Sequence, residues 1–195
     1  MTTTLAWMAQ AAAGEAAEPL AGLVAAASAG DRAALETLVE TMERRVYTLA
    51  FRLVGDRAGA EDVAQEALWK VCQRLSQFRQ SGNFWGWVYR IVLNQAHDHH
   101  RAGAREKVEI PEVTAPETYN PAREEQLRRA MAAMKVLSQK ERAALVLIDL
   151  DGYSSREAAR MMGCLDITAR ARAAQARKKV RRELSRYYPE LREGI

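Results

Sequence analysis

The stretch from Leu137 to Arg182, LSQKERAALVLIDLDGYSSREAARMMGCLDITARARAAQARKKVRR, constrains this chain more than any other. Ser154 followed three residues later by Glu157 is a capping box, in which the serine oxygen accepts the Glu157 amide and the glutamate reaches back to the serine amide. A helix therefore starts at Ser154 or Ser155, with Ala158, Ala159, Met161 and Met162 on its apolar side. Gly163 stands where a left-handed residue closes a helix. Asp166 is then placed to cap a further helix whose first turn holds Thr168 and Arg170. Along that helix run Arg170, Arg172, Gln175, Arg177, Lys178, Lys179, Arg181 and Arg182, opposed by little acid. Two short helices, a tight turn and a basic third helix form a helix-turn-helix unit, whose recognition helix enters the major groove of DNA. Arg and Gln can read base edges bidentately, while Lys mostly positions on phosphate. A solvated basic face would explain the charges but neither the cap nor the turn glycine.

Composition favours an all-α protein. The 195 residues are 48% hydrophobic and contain only 11 Gly and 5 Pro, enough apolar material for one large or two small cores. The formal net charge is +4, placed unevenly: acids slightly outnumber bases before Asn120, and Arg and Lys prevail after it. The carboxy-terminal part is thus the better polyanion binder. Cys72 and Cys164 are far apart in sequence and are expected as free thiols in a reducing cytoplasm. No apolar run approaches a membrane span, and the start lacks the basic residues of a signal peptide, so a cytoplasmic protein is expected.

Residues 1–19 are Ala-rich, end at Pro19 and are assigned to a tail. From Leu20 the pattern Leu20, Leu23, Val24, Ala27 predicts a helix, and Ala29-Gly30-Asp31 ends it and caps the next. That helix carries Leu35, Leu38, Val39, Met42, Val46, Leu49, Ala50, Leu53 and Val54, and stops at Gly55-Asp56. A third helix spans about 58–78, with Glu61, Asp62, Gln65 and Glu66 outward and Val63, Ala64, Ala67, Leu68, Val71, Cys72 and Leu75 inward. Ser81-Gly82-Asn83 breaks the chain, and FWGWVYRIVLNQAHDHHR starts a fourth. Phe84, Trp85, Trp87 and Tyr89 are too many aromatics for one narrow core stripe. Phe84, Trp87 and Ile91 are expected in the core. Trp85, Asn94 and Arg101 are expected to meet unpaired bases that stack on rings and bond to polar groups. Residues 102–121, with Pro111, Pro116 and Pro121, form a flexible linker, and residues 122–137 predict a helix packed on the one holding Ala143 to Leu150.

Four segments in this order carry a resemblance: LAGLVAAASAGDRAALETLVE, FRLVGDRAGAEDVAQEALWKVCQRL, NFWGWVYRIVLNQAHDHHR and the helix-turn-helix itself. Together the chain resembles an extracytoplasmic-function, group IV sigma factor of the sigma-70 family, the type holding only regions 2 and 4. The resemblance implies a region 2 domain over 20–101, a linker over 102–121, a region 4 domain over 122–188 and a tail over 189–195. It implies no catalysis and no cofactor. Its partners would be bacterial RNA polymerase core, through the beta prime clamp helices and the beta flap, promoter DNA, and in some settings an anti-sigma factor. Asp62, Gln65 and Glu66 match the segment that docks the clamp helices. Ser81, Gly82 and Asn83 match the loop that captures an extruded base of the minus-ten element, and Trp85, Asn94, Asp98 and Arg101 match the helix meeting the opening strand. Thr168, Arg170, Arg172, Gln175, Arg177 and Lys178 match the helix that reads the minus-thirty-five duplex. Sigma would then direct polymerase to promoters by holding upstream duplex and melting the minus-ten region.

The chain also departs from that family's pattern. Ala169 and Ala173 stand where a valine and a leucine anchor the recognition helix, and Leu165 stands where a small polar cap is common. Met161, Met162 and Leu165 are expected to fill the gap, and the paired His99-His100 could touch DNA backbone. A metal-dependent hydrolase built on His97, Asp98, His99 and His100 is a poor rival, because consecutive helical residues diverge and no second cluster completes a shell. A helix-turn-helix regulator acting without core polymerase would leave Asp62 to Glu66 and the aromatic helix idle.

Overall fold

The computed structural model describes residues 17–79, 83–103 and 121–188, which are helical with no strand among them. They form two compact units, one within 17–103 and one within 121–188. Residues 1–16 and 189–195 of the expected tails and most of the expected linker lie outside the described residues.

In the first unit α1 (Ala17–Ser28), α2 (Arg32–Val54), α3 (Arg57–Arg74) and α4 (Phe84–Gly103) follow one another, with a 3₁₀ turn at Leu75–Gln77 after α3. α1 begins two residues before Pro19, which was expected to bound it. A proline is tolerated in a first turn, where its missing N–H has no intrahelical partner to lose. The long α2 is the centre and packs on α1, α3 and α4. Its stripe of Leu38, Met42, Val46, Leu49, Ala50 and Leu53 is buried because these residues recur at helical spacing on one side.

The helix ends follow the expected chemistry. Asp31 accepts the Ala34 amide at 3.1 Å to start α2. Gly55, at φ 98°, closes α2 through its N–H to the Phe51 carbonyl, a conformation that only glycine adopts without strain. Asp56 then accepts the Gly59 amide at 2.8 Å and opens α3. A single glycine-aspartate pair thereby turns the chain between two packed helices.

The histidines of α4 serve this junction. A Cβ on Gly59 would lie 2.8 Å from the His99 ring and 2.8 Å from Val54, and His100 Nε2 lies 3.4 Å from the Leu53 carbonyl. Both imidazoles are therefore spent on packing α4 against the α2–α3 corner. Both rings are half-buried, so only their exposed edges are left for a contact with DNA backbone.

The second unit comprises α5 (Pro121–Met134), α6 (Gln139–Leu145) continued by a π turn (Val146–Leu150), α7 (Ser155–Met162) and α8 (Asp166–Leu184). Capping boxes open α6 at Ser138/Glu141 and α7 at Ser154/Glu157. Gly163 closes α7 in the left-handed region at φ 63°. α5 was expected to run to Leu137 and to pack on α6; it ends at Met134 and lies chiefly along α8. Its tie to α6 is one long cation: buried Arg142 donates to the Met134 carbonyl at 2.7 Å, satisfying a helix-terminal acceptor that has no intrahelical partner.

Gly59→Ala should destabilise the first unit. Helix propensity favours alanine by ~1 kcal/mol, but overpacking against two neighbours costs about 1–3 kcal/mol, and the second effect should win. A lower urea midpoint for the variant, partly restored by adding His99→Ala, is the expected result; an unchanged or raised midpoint would contradict it.

Candidate nucleic-acid interface

α8 is the most basic element, and its burial pattern decides what it can offer. Ala169, Ala173, Ala176, Val180 and Leu184 form its buried stripe against the rest of the unit. Arg170, Gln175, Arg177 and Lys178 are exposed, whereas Thr168 and Arg172 are half-buried on a flank. At about 3.6 residues per turn these six positions spread around well over half of the helix. They do not form one narrow reading face.

Cations of α8 are also engaged within the unit, two of them across to neighbouring elements and one along the helix itself. Arg177 reaches back to Asp149 of the π turn at 2.8 Å, Arg170 pairs with Asp166 at 3.0 Å, and Lys179 pairs with Glu141 at 2.8 Å. Burial pushes the Asp149 carboxyl up from its ordinary value, with Arg177 opposing. Glu141 behaves in the other direction: the Lys179 ammonium and the Ser138 cap hold its carboxyl below the ordinary value, against a smaller effect of burial. The cap of α6 and the clamp on α8 are thus the same carboxylate.

Two expectations about the start of α8 are corrected. Asp166 does not cap it: the N-cap is Leu165, which makes no side-chain cap bond, and Asp166 lies within the first turn bound to Arg170. Leu165 does not fill the space beside Ala169 and Ala173 either, because it is 72% exposed. Met161 is buried there, and the short alanine side chains leave no bulk to keep α8 at a distance from its neighbours.

In the first unit Asp62, Gln65 and Glu66 are exposed together along one side of α3. Trp69, one turn further on, is 61% exposed and falls on the same side at helical spacing. Sequence reasoning missed it because tryptophan is assigned to a core by default. Glu66 is engaged with Lys70 at 3.2 Å, and Asp62 stands exposed one turn before it.

On α4, Asn94, Asp98 and Arg101 are exposed along one line. Asn94 and Asp98 line a polar cleft of about 280 Å³ shared with Lys70, Arg74, Gln95 and His97, and Lys70 donates to Gln95 at 2.7 Å. Lys70 and Arg74 were not singled out from sequence, although an i, i+4 pair of cations on the side of α3 facing α4 was the available signal. Asn83 caps α4, its side-chain oxygen accepting the Gly86 amide at 3.0 Å. Ser81 and Gly82 lie outside the described residues.

The aromatic run divides only in part as expected: Phe84 and Ile91 are core, but Trp87, expected beside them, is half-buried like Trp85, expected outward. Phe78 closes over Phe84 and Trp87 at ring distances of 5.4 and 5.3 Å. Trp85 is only partly exposed, because the Arg45 guanidinium lies 4.1 Å from its ring centre while Arg45 Nε donates to the Tyr89 hydroxyl at 2.8 Å. One face of Trp85 is therefore covered by a cation from α2.

Comparison with known proteins matches these two units to two family regions. Residues 38–106 match Sigma-70 region 2 and residues 127–180 match Sigma-70, region 4. The ECF RNA polymerase sigma factor SigM of Mycobacterium tuberculosis is 31% identical over 164 residues, covering 84% of both chains. The chain belongs to the ECF sigma factors of the sigma-70 family. The ECF RNA polymerase sigma-E factor of Escherichia coli K12 is 32% identical, with 81% of this chain and 90% of that one covered. The probable sigma factor RfaY of Xanthomonas campestris is longer, and the chain spans 42% of its length at 32% identity. The fold is shared with the sigma factor RpoE of Bartonella quintana, solved with the anti-sigma factor NepR, at TM-score 0.66 and 24% identity over 77% of this chain and 96% of that one.

Glu141 sets a pH dependence. A carboxyl held low in the folded chain stabilises the fold fully above the ordinary glutamate value and loses that contribution progressively as pH falls from there through its lower folded value. Glu141→Gln should lower the stability of the second unit by on the order of 1 kcal/mol at pH 7, and the difference should close below about pH 4. Thermal unfolding of both proteins from pH 7 to pH 3.5 measures this. An equal difference at both ends of the range would contradict it.

Proposed function

We propose that this sigma factor attaches to core RNA polymerase through the α3 face of Asp62, Gln65, Glu66 and Trp69, holds upstream promoter duplex with α8, and keeps separated minus-ten bases against α4. The observation that carries the proposal is that α3, α4 and α8 each leave exposed polar and charged side chains of the chemistry their partners require. On α3, carboxylate and amide groups suit a basic helical partner such as the beta prime clamp helices. Charge complementarity there sets docking register and speed, and a partly exposed tryptophan supplies the kind of anchor that dominates interface energies. A contact of the second unit with the beta flap belongs to the same assembly.

On α4, a base leaving the duplex can stack on the face of Trp85 opposite Arg45 near Asn83 at the helix start, while Asn94, Asp98 and Arg101, further along on the other side of the helix, meet the strand; Ser81 and Gly82 would join Asn83 in capturing a base. Each stacked base contributes about 1–3 kcal/mol, so a few suffice to hold a short opened segment. On α8, Arg170, Arg172, Gln175, Arg177 and Lys178 supply phosphate and base-edge contacts with Thr168. Joining both units on one chain raises the effective concentration of the second contact once the first has formed. The work is binding and strand separation, with no bond made or broken, and it belongs in the cytoplasm with the polymerase. An anti-sigma factor would act by covering one of these faces.

Co-elution of the purified chain with core polymerase, together with promoter-dependent run-off transcription, tests this function. Asp62→Arg combined with Glu66→Arg should abolish co-elution, and Trp69→Ala should weaken attachment roughly 10- to 30-fold, the range of an interface anchor. Unchanged attachment in the charge-reversed protein would contradict the α3 assignment. Duplex binding without any association with core would favour a regulator working alone.

A further inference from the structure

The start of α8 carries a feature that its role in folding leaves unexplained. Leu165 sits at the N-cap with extended backbone and no side-chain cap bond, a position where Ser, Thr, Asp or Asn would stabilise the helix by accepting a free amide. Leu165 is 72% exposed, and Ile167 two residues later is 69% exposed. Neither side chain contributes to the core, and Leu165 forgoes the cap.

Helical geometry shows where Ile167 points, and Leu165 stands exposed just before the helix. At about 3.6 residues per turn, Ile167, Ala171, Ala174, Lys178 and Arg182 fall on one line, opposite the buried Ala169, Ala173, Ala176 and Val180. All five are exposed. The outermost line of α8 is therefore apolar and short through its first half and cationic only in its second. The small residues let a partner approach the helix backbone closely. Arg170, next to this line on α8, is exposed, as are Arg156 and Arg160 of the preceding helix α7, and the Asp166 carboxylate is already paired with Arg170. The partner must therefore be anionic around an apolar spot.

The geometry points to Leu165 and Ile167 as specificity-determining residues that read thymine in the upstream element by packing on its 5-methyl group. The major groove of DNA presents one apolar group, that methyl, inside a rim of phosphates. Recognition helices meet base edges with their amino-terminal residues, where this pair lies. The long cations flanking α8 then position the helix on phosphate, and sequence preference comes in part from contacts that carry no charge. This inference rests on α8 being the duplex-binding helix.

The test uses holoenzyme formed from the full chain and core polymerase. Duplexes with a randomised upstream element are selected for binding, and the best binder is rebuilt with deoxyuridine replacing each thymine in turn, which removes only the methyl. Wild-type holoenzyme should bind one or more of these duplexes about fourfold more weakly per methyl lost. The Leu165→Ala/Ile167→Ala protein, with its attachment to core unchanged, should bind thymine and deoxyuridine duplexes alike. A selected element without thymine, equal binding of both duplexes by the wild type, or a variant that keeps the difference would each overturn the inference. So would a variant that binds duplex normally but attaches poorly to core, because the patch would then belong to a protein interface. Failure to select any sequence at all would instead defeat the duplex-binding role of α8.

Discussion

A narrow stripe of small side chains holds the recognition helix. Ala169, Ala173 and Ala176 are buried beneath α8, and alanine carries little apolar area, so each contributes less than a valine or leucine would. What the stripe permits is close approach of α8 to its neighbours. Orientation is then completed by long side chains that cross to those neighbours: Lys179 to Glu141, Arg177 to Asp149, and Arg129 of α5 over the rings of Tyr187 and Tyr188 just beyond the helix. A helix that must present its opposite side to a partner cannot be gripped all round. Gripping it along one thin line and at a few charged points leaves the remainder free.

The first unit solves a related problem with a larger core. α2 supplies a continuous apolar stripe, and the turn at Gly55-Asp56 brings α3 back along it. Gly59 and His99 let α4 close on the same corner. Because the interior is filled by α2, the outer sides of α3 and α4 need no apolar residue for stability. Trp69 and the partly covered Trp85 are therefore informative: on a unit with a sufficient core, an aromatic left toward solvent is available for a partner.

Much of this was legible in the sequence because it is local chemistry. Asp31, Gly55-Asp56, Ser154/Glu157 and Gly163 each announce a helix end through their own side chain or their own φ, and helical spacing separated the stripe of α2 from its outer side. What escaped were matters of direction and partnership. Leu165 and Asp166 look like a filler and a cap until the helix is seen to begin one residue earlier than a capping aspartate requires. His99 and His100 look like surface residues beside Asp98 until Gly59 is seen to make room for a ring. Arg45 cannot be connected to Trp85 by any sequence rule, since the two lie on different helices. The spread of Arg170, Arg172, Gln175 and Arg177 around α8 is hidden as well, because a basic run gives charge without giving facing.

The central claim is that α8 turns the line through Ala171 and Lys178 toward promoter duplex while Ala176 faces the core of its unit. Incorporation of a photo-crosslinking amino acid at either alanine, within holoenzyme bound to a promoter fragment, tests this directly. The account predicts crosslinks from position 171 to the upstream duplex and none to DNA from position 176. Crosslinks to DNA from position 176, or none from position 171, would contradict it.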